Sequence, residues 1–502
     1  MAKNDYDIIV IGSGIGGLTC AAYLSKAGFK VLVLEQAEIP GGYCSSFTKE
    51  GFTFDAAMHF IEGGAKDNLY QDSILLSILK DLGAEKDIEL VKFTDLYTIF
   101  HPAGWTVVLR DFIDFLFILY EKFPQEKDGL FRLYKLINKL GDEIRDFVPK
   151  YGALDLMVMP VRFPVIFKIY NKTFQQVLDE FIKDEQLKFL FSAMIFMFLG
   201  LPPQKLSALM GLSFFYFIHY EGLFYPKGGA QSLPKALIRC IERNNGQVKV
   251  STKVEKIILD NKCVKGVLTN QGEEITASKI VSNADARHTF QELIGREHIP
   301  SKLDRKLEEF RPSVSFNELW LGLEGDPKPE GVYSSEIVYF DSYDLKEAYD
   351  KCCRQPFIDS VVLTIPTMLD PSLAPAGKHI VSVISPTGCP VPPRNTPEYE
   401  QYKQAAEKHL LTLAKKINPN IPKYNVLVKE LATPATFQRY TLNSGGAAYG
   451  WEATVEQGTI NGLLPKTPIK GLFLSGHWTY PCGGIVAVMM SGKATAKIMM
   501  RG

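Results

Sequence analysis

The chain has 502 residues, of which 46% are hydrophobic and 12% aromatic; this excludes a disordered polypeptide and allows two or three domains. The 56 Lys and Arg residues are balanced by 56 Asp and Glu residues, so the basic excess typical of nucleic-acid-binding proteins is absent. None of the 8 cysteines forms a CxxC pair, which argues against a metal site and suits a reducing compartment. The acidic start runs directly into a strand pattern, so we expect a cytoplasmic protein without a secretory signal.

The first elements form a strand, loop, helix and strand around a glycine motif. Residues 8–11 and 31–34 are continuous apolar runs, typical of buried parallel strands. In the GxGxxG between them, the first glycine allows a tight turn, the second lets the backbone approach a pyrophosphate, and the third lets the helix pack on the strand. The N-terminus of the helix offers free N–H groups to the same phosphates. An acid follows the second strand, where it would hold ribose hydroxyls. The predicted dinucleotide-binding residues are Gly12, Ser13, Gly14, Ile15, Gly16, Gly17, Glu35 and Gln36.

The next distinctive stretch is GGYCSSFTKEGFTFDAAMHF, residues 41–60. Nicotinamide-dependent enzymes need no such segment, whereas the combination resembles the flavoprotein superfamily that includes amine oxidases and carotene desaturases. In that superfamily the Gly-Gly turn lies beside the dinucleotide and the following segment runs to the flavin. The resemblance therefore implies FAD, with contacts from Gly41, Gly42, Met58 and His59. Relatives often carry Arg after the Gly-Gly pair, and Tyr43 in its place speaks against an amine oxidase.

Three strongly apolar stretches follow, at residues 111–123, 154–170 and 187–220. In the third, two apolar runs flank a Pro-Pro pair, and each is shorter than the ~20 residues of a membrane span. We therefore expect a helical hairpin there. The stretches either line a large apolar pocket or also form a face that rests on one membrane leaflet. Arg162 and Lys168, placed among apolar neighbours, favour the interfacial interpretation.

Residues 224–257 resemble the segment by which the same superfamily returns to its nucleotide fold. Apolar residues at helical spacing are followed by a glycine and an alternating strand. The resemblance implies a backbone contact from Val254 to adenine. It also places Asn283 and Asp285, in the sequence SNAD, at the cofactor. A helix N-cap is the alternative role for Asp285.

Residues 291–460 alternate like the strands of a mixed sheet and include an amphipathic helix pattern. Near their end, YGWE resembles a superfamily segment that leads towards the flavin. The resemblance places Tyr449 and Trp451 near the substrate, and simple core packing is the alternative for both.

The last segment, residues 470–500, reads as a strand, a turn and a helix rich in small residues. By resemblance, Gly476 and His477 lie near the pyrophosphate and the ribityl chain, although many relatives have an acid instead of the histidine. Gly484, Ile485 and Val486 would lie under the isoalloxazine ring at a helix start. A helix N-terminus there would stabilise the negative charge of a reduced flavin.

The predicted fold class is α/β. We expect a discontinuous, glutathione-reductase-like FAD-binding domain of the Rossmann type and a substrate domain built on a mixed sheet. A helical, apolar subdomain that faces the membrane completes the predicted fold. The predicted FAD-binding domain comprises residues 1–95, 222–290 and 462–502. The helical region is predicted at 96–221 and the substrate domain at 291–461. Within the superfamily, EGFTFD resembles carotene cis-trans isomerases and FDAAMHF resembles retinol saturases.

The resemblance to carotenoid desaturases, carotene cis-trans isomerases and retinol saturases implies a function. It implies an FAD-dependent oxidoreductase or isomerase that desaturates, saturates or isomerises an apolar polyene or isoprenoid at a membrane surface. His59, His477 and Tyr480 are the acid–base candidates. With one nucleotide motif visible, the expected electron partner is a quinone, oxygen or a separate reductase. The alternatives are a flavin amine oxidase-like enzyme and a non-catalytic flavin- and lipid-binding protein.

Overall fold

The computed structural model describes residues 4–64, 73–146, 153–458 and 461–501. The strands are β1 (Tyr6–Ile11), β2 (Val31–Leu34), β3 (Ser46–Lys49), β4 (Phe52–Asp55), β5 (Ile61–Glu62), β6 (Leu90–Lys92), β7 (Asp95–His101), β8 (Gly104–Leu109), β9 (Leu223–Pro226), β10 (Gln247–Lys249), β11 (Val254–Asp260), β12 (Cys263–Thr269), β13 (Glu274–Ser282), β14 (Ser315–Glu324), β15 (Glu336–Phe340), β16 (Ser360–Thr364), β17 (Lys378–Thr387), β18 (Asn425–Ala432) and β19 (Leu472–Leu474). The α-helices are α1 (Ile15–Lys26), α2 (Ile74–Leu82), α3 (Phe112–Lys122), α4 (Lys127–Asp146), α5 (Ala153–Arg162), α6 (Pro164–Ile169), α7 (Phe174–Phe181), α8 (Glu185–Leu199), α9 (Ala208–Tyr216), α10 (Ser232–Arg243), α11 (Ser301–Glu309), α12 (Leu345–Arg354), α13 (Pro397–Ile417), α14 (Pro434–Thr441) and α15 (Ile485–Met500).

The first sheet is built around β1, whose apolar residues are buried. β1 pairs in parallel with β2 on one side and with β13 on the other. β10 continues the parallel pairing beyond β2, and β19 continues it beyond β13. β12 and β11 extend the sheet in antiparallel fashion. The parallel strands therefore come from three distant parts of the chain, in agreement with the predicted discontinuous nucleotide fold.

Two helices from opposite ends of the chain, α1 and α15, pack closely against each other beside this sheet. Glycines allow the close approach, because a Cβ on Gly492 would lie 2.5 Å from the carbonyl oxygen of Gly16. The small residues predicted for the last helix thus bring the C-terminal segment against the helix of the glycine motif.

The second sheet has the order β18-β14-β17-β16-β15-β7-β8 and is mixed, since β15 and β7 are parallel while their neighbours are antiparallel. Its Leu- and Val-rich face packs under α13. The prediction is wrong for residues 96–109, which it assigned to the helical region. Those residues form most of β7 and β8, because their alternating apolar pattern completes the edge of this sheet.

The helical region contains α3 to α9. Helix α8 is buried all round from Leu187 to Leu199 and ends at Gly200, whose φ of 65° is left-handed. Pro202 and Pro203 follow, and α9 begins at Ala208. Two helices thus flank the Pro-Pro pair, as expected, while α9 packs mainly against α4 and α7. In the described parts of the chain, no helix combines the length and hydrophobicity required to cross a membrane.

Candidate functional site

A deep cavity lies where the two sheets and the helical region meet, and all three contribute to its wall. Helices α1 and α15 both begin at this wall, with Gly14 and Gly484 as their N-cap residues. Both N-cap residues are glycines, which have no side chain to cap the helix. At the start of α15 the backbone N–H of Val486 donates to the carboxyl group of Glu62. Two helix N-termini in one cavity favour a ligand with negative charge at two places along its length.

The glycine motif leaves room at the start of α1. A Cβ on Gly14 would lie 2.6 Å from Nδ2 of Asn283, and one on Gly17 would lie 2.4 Å from the carbonyl oxygen of Gly12. Gly12 itself has a φ of 89°, which L side chains rarely adopt. The loop therefore brings bare backbone to the cavity wall, as close contact with phosphates requires.

The acid at the end of β2 is held in place by the glycine loop. Oε2 of Glu35 accepts hydrogen bonds from the backbone N–H of Ser13 at 2.8 Å and from its hydroxyl at 2.7 Å. Oε1 accepts from the backbone N–H of Ala37 at 2.9 Å. Glu35 and Gln36 line the cavity next to Val254. This end of the cavity has the acid and the strand backbone that a ribose and an attached base need.

The cavity continues from the glycine loop along residues of the last segment. Gly476, His477, Gly484, Ile485 and Val486 all line it. Gly476 and Gly484 have φ values of 92° and 107°, so both carry backbone turns that favour glycine. A dinucleotide fits these residues, since the wall offers an acid at one end and helix N-termini further along.

Beyond α15 the cavity becomes apolar. Its wall there includes Met197, Phe198, Leu199, Met210, Phe214, Phe217, Phe316, Val362 and Ile384, drawn from α8, α9, the π-helix Phe217–Glu221 and the second sheet. This part suits a hydrophobic ligand, because burying apolar surface contributes about 25 cal/mol per Å².

Met58 and His59 lie at the junction of the two parts of the cavity wall. The His59 ring meets Phe198 edge-on, with 5.9 Å between ring centroids. Its Nδ1 lies 2.6 Å from the hydroxyl oxygen of Thr364. Burial lowers the pKa of His59 to about 4, so the ring is neutral at pH 7.

Two carboxyl groups that the sequence analysis did not select also line the cavity, Glu62 and Glu318. Burial raises the pKa of both, and the charges of Asp55 and Glu336 add to the increase at Glu318. Oε2 of Glu62 is buried without a hydrogen-bond partner among the described residues. One signal was present for Glu318, since it stands in a strand pattern with apolar residues on its C-terminal side and no charged neighbour.

The remaining predicted site residues divide into two groups. Tyr449 lines the cavity, and so does His477, whose pKa burial lowers to about 4. Trp451 and Tyr480 are buried but do not belong to the described cavity wall. The Trp451 indole N–H donates to the carbonyl oxygen of Trp478 at 3.1 Å. The structure therefore brings the first pair to the cavity and leaves the second pair in the packing around it.

Asp285 also lies outside the described cavity wall, while Asn283 belongs to it. Oδ1 of Asp285 accepts from the backbone N–H groups of Arg287 and His288, where the π-helix His288–Gly295 begins. Oδ2 accepts from the backbone N–H of Ser444 at 2.8 Å. These contacts correspond to the N-cap alternative.

Comparison with known proteins identifies one matching family model and several curated relatives that align along most of the chain. The family model described as flavin containing amine oxidoreductase matches residues 15–500. Prolycopene isomerase of Daucus carota is 30% identical over 98% of this chain and 79% of its own. All-trans-retinol 13,14-reductase of Homo sapiens is 25% identical, covering 99% and 86%. The lycopene-forming phytoene desaturase of a Paracoccus strain is 27% identical, covering 98% and 97%.

Among solved structures, an oxidoreductase from Methanosarcina mazei superposes with a TM-score of 0.65 at 18% identity, covering 99% of this chain and 100% of that one. At this identity the likeness establishes the fold. The mixed α/β architecture is thus that of known oxidoreductases.

Proposed function

The chain belongs to the flavin-containing amine oxidoreductase family, and from this premise we propose that it is an FAD-dependent enzyme acting on C=C or CH–CH bonds of an apolar polyene or isoprenoid. Family membership assigns a flavin cofactor, and the dinucleotide-sized part of the cavity favours FAD as its form. The curated relatives are named for prolycopene, retinol and phytoene. Desaturation, saturation and cis-trans isomerisation are the reactions proposed, with a quinone, oxygen or a separate reductase as the electron partner.

The proposed cofactor contacts follow the cavity from end to end. Val254 would meet the adenine ring, Glu35 the ribose, and the α1 N-terminus the pyrophosphate. The α15 N-terminus would lie under the isoalloxazine ring. The proposed set is Gly12, Ser13, Gly14, Ile15, Gly16, Gly17, Glu35, Gln36, Gly41, Gly42, Met58, His59, Val254, Asn283, Gly476, His477, Gly484, Ile485 and Val486. Asp285 is left out of it, because its carboxyl group caps a helix outside the cavity wall. When bound, the flavin supplies or accepts a hydride.

One observation carries the assignment of an apolar substrate: the part of the cavity beyond the flavin end is walled by aromatic and aliphatic side chains from α8 and α9. The two carboxyl groups of the cavity wall, Glu62 at the start of α15 and Glu318 on β14, are favoured in their uncharged form by burial. An amine substrate would bring an ammonium group, which is costly to bury without an ionised partner. The wall therefore favours a hydrocarbon chain and weighs against an amine.

The chain's own residues would then hold the substrate, exclude water and move protons. His59 and Tyr449 line the cavity where its two parts join, so both are proposed to touch the substrate or the flavin. His477 and Tyr480 remain acid–base candidates, and Trp451 a substrate-binding candidate. We also propose the three-domain division given above, with residues 96–109 moved to the substrate domain.

A membrane-docking face is proposed on the helical region. Ile113 and Phe117 on α3, Phe131 on α4 and Val161 on α5 are exposed, Val161 to 86%. The charges beside them are mixed. Asp114 and Glu121 are exposed on α3, while Lys135 on α4 places its Nζ 4.3 Å from the ring centroid of Phe131. Exposed apolar residues with long charged side chains beside them suit a lipid surface. Helix α4 packs on α9, which lines the cavity, so such a face would lie next to the proposed substrate entrance.

Vesicle flotation tests the membrane face. The protein is floated with phosphatidylcholine–phosphatidylglycerol vesicles, alongside a Phe117→Asp/Val161→Asp double variant. Tyr333→Asp is the matched control, because Tyr333 is 69% exposed on a different part of the surface. We expect the unmodified protein and the control to float and the double variant to stay in the dense fraction. Flotation of all three to the same extent would contradict the proposal.

Product analysis tests the enzymatic function. The flavin-loaded protein is incubated without oxygen with prolycopene, all-trans-retinol or phytoene, each with oxidised and with reduced flavin, and the extracts are separated by chromatography. We expect at least one to be converted to an isomer or to a product differing by two hydrogens. Bleaching of the flavin by primary amines, with all three polyenes unchanged, would establish the amine oxidase alternative instead.

A further inference from the structure

The face of the second sheet that looks towards the cavity carries an unusual row of polar side chains. Glu336 on β15 pairs with Thr364 on β16, Thr364 with Ser382 on β17, and Ser382 with Trp320 on β14. The next row on the same face contains Val362, Ile384 and Glu318, which line the cavity. The polar row is thus fixed by strand register beside an apolar wall.

Two members of this row connect to His59. Oγ1 of Thr364 lies 2.6 Å from Nδ1 of His59 and 3.0 Å from Oε2 of Glu336. The direct distance from His59 Nδ1 to Glu336 Oε2 is 3.7 Å, too long for a hydrogen bond, so the hydroxyl lies between them as the link. Glu336 is 0% exposed, and its Oε1 has no hydrogen-bond partner among the described residues.

A buried carboxyl group with an unpartnered oxygen is costly for stability. Strand β15 would accommodate an apolar residue at this place, because Val338 two residues later faces the same side. Packing alone does not explain the carboxyl group, and among the described residues its hydrogen-bonded path leads through Thr364 to the histidine in the cavity wall.

We propose that Glu336, Thr364 and His59 form a proton relay that delivers a proton to the substrate end of the cavity and takes it back. The inference rests on the proposed function and deepens it. In this relay His59 is the residue that touches the substrate, and Thr364 and Glu336 act through it.

The proton path balances in both directions. With Glu336 protonated, its O–H donates to Thr364, the Thr364 hydroxyl donates to His59 Nδ1, and Nε2 carries the hydrogen. When Nε2 gives its proton to a substrate carbon, Nδ1 takes the threonine proton and threonine takes the glutamic acid proton, leaving a carboxylate. Proton removal from the substrate reverses each step. An isomerisation returns the relay to its starting state and consumes no net proton. Saturation would consume one proton, which Glu336 regains from solvent between turnovers, together with a hydride from bound flavin. Desaturation would release one proton to solvent and pass a hydride to bound flavin.

The relay explains how a buried histidine can exchange protons. Burial lowers the pKa of His59 to about 4 and so disfavours an imidazolium ion. Burial raises the pKa of Glu336 well above its ordinary value, so the acid form is accessible at neutral pH. Because the proton that enters one ring nitrogen leaves from the other, the charge change occurs at Glu336 and the ring stays neutral.

Other titratable groups face this row and belong to its electrostatic surroundings. Glu318 on β14 is a buried carboxyl group, Asp55 on β4 is half-buried, and the hydroxyl of Tyr225 on β9 donates to Asp55. Tyr97 on β7 precedes Thr98, which pairs with Ile337, and is therefore adjacent in register to Glu336. These groups shift the pH at which the relay changes state, but among the described residues none of them is hydrogen-bonded to His59.

The distinguishing readout is the tautomer of His59, which needs no substrate. The protein is labelled with ¹⁵N-histidine and loaded with FAD, its His59 signals are assigned with a His59→Gln variant, and pH is varied from 5 to 9. We expect hydrogen on Nε2 at low pH and on Nδ1 at high pH, with no imidazolium between them. Thr364→Val and Glu336→Gln should abolish this switch, and Ser382→Ala, in the same row, should keep it. A single His59 tautomer across the whole range in the unmodified protein overturns the relay.

Turnover supplies the second readout, on whichever of prolycopene, all-trans-retinol or phytoene the unmodified protein converts. We expect kcat to fall by about 10²-fold in Thr364→Val and in Glu336→Gln, the lower end of a general acid–base contribution. Thr364→Ser should recover most of the rate, because it restores the hydroxyl, and flavin content should match in all variants. Unchanged kcat in Thr364→Val overturns the relay. Failure of the unmodified protein to convert any polyene overturns the proposed function, whatever the tautomer does.

Discussion

Replacing Gly14 by alanine tests the assignment of the glycine loop as the pyrophosphate site. The backbone of Gly14 has a φ of −60°, which alanine adopts without strain. Its new Cβ would lie 2.6 Å from Nδ2 of Asn283, and the amide would have to withdraw by about 0.8 Å to reach an ordinary 3.4 Å contact. The methyl group would also occupy the place where a phosphate must approach the backbone.

Overpacking of this kind costs about 1–3 kcal/mol. When the cost falls on the bound state, it corresponds to a weakening of FAD binding by roughly 5–150-fold. Gly28→Ala is the matched control: Gly28 ends the same helix segment at a φ of 90°, and nothing lies within 4 Å of its added Cβ. The control should lose stability through backbone strain while keeping its affinity for FAD.

The assay is a fluorescence-quenching titration of flavin-free protein with FAD, accompanied by thermal unfolding of the same samples. We expect the unfolding temperature of Gly14→Ala to lie within a few degrees of that of the unmodified protein. We also expect its FAD affinity to be at least 5-fold weaker, which is the lower bound of the range given above. The conversion uses about 1.4 kcal/mol for each factor of ten in affinity. Equal FAD affinity in Gly14→Ala and in the unmodified protein would refute the reasoning, as would an equal loss of affinity in Gly28→Ala.

Three further predictions concern other parts of the cavity and its support. Glu35→Gln should weaken FAD binding about 10-fold, since hydrogen bonds to a charged group contribute about 1.5–3 kcal/mol. The same fluorescence titration checks this prediction. An unchanged FAD affinity would show that Glu35 does not bind the ribose. Phe214→Ala should raise the Kd for the polyene by about 10-fold or more and leave the FAD affinity unchanged, because the substitution removes apolar wall only beyond the flavin end of the cavity. An unchanged polyene affinity would show that the hydrocarbon chain of the polyene binds elsewhere. Burial raises the pKa of Glu221 to about 7 despite the guanidinium of Arg145 at 3.0 Å, so the native state binds its proton more tightly than the unfolded state does. Stability should therefore fall as pH rises from about 4.5 to 7, and Glu221→Gln should lessen that fall in thermal unfolding; an identical pH profile in the variant would contradict the raised pKa.

The sequence predicts which residues come together at the glycine-loop end of the cavity, because the signals there are local. A tight glycine turn, a buried strand and an acid at a fixed spacing are compatible with a single local arrangement of Gly12, Gly14 and Glu35. The return of Val254 and Asn283 to the same cavity was predictable only through resemblance. No local sequence pattern predicts that segments so distant in the chain join the sheet built around β1.

The substrate half was less accessible to such reasoning. Glu336 and Thr364 meet His59 only because β15, β16 and β17 adopt one order and register, which strand patterns do not encode. The same limit explains residues 96–109, whose partner strand β15 lies more than 200 positions later. Trp451 and Tyr480 stand beside cavity residues in the chain, yet turns direct them into the core instead.

The most direct test of the account is a crystal structure of the protein with FAD and a polyene that it converts, solved without oxygen. The account predicts the pyrophosphate at the start of α1, the isoalloxazine ring at the start of α15, and the polyene between His59 and the apolar wall formed by α8 and α9. A dinucleotide bound elsewhere, or a polyene seated outside that wall, would contradict it.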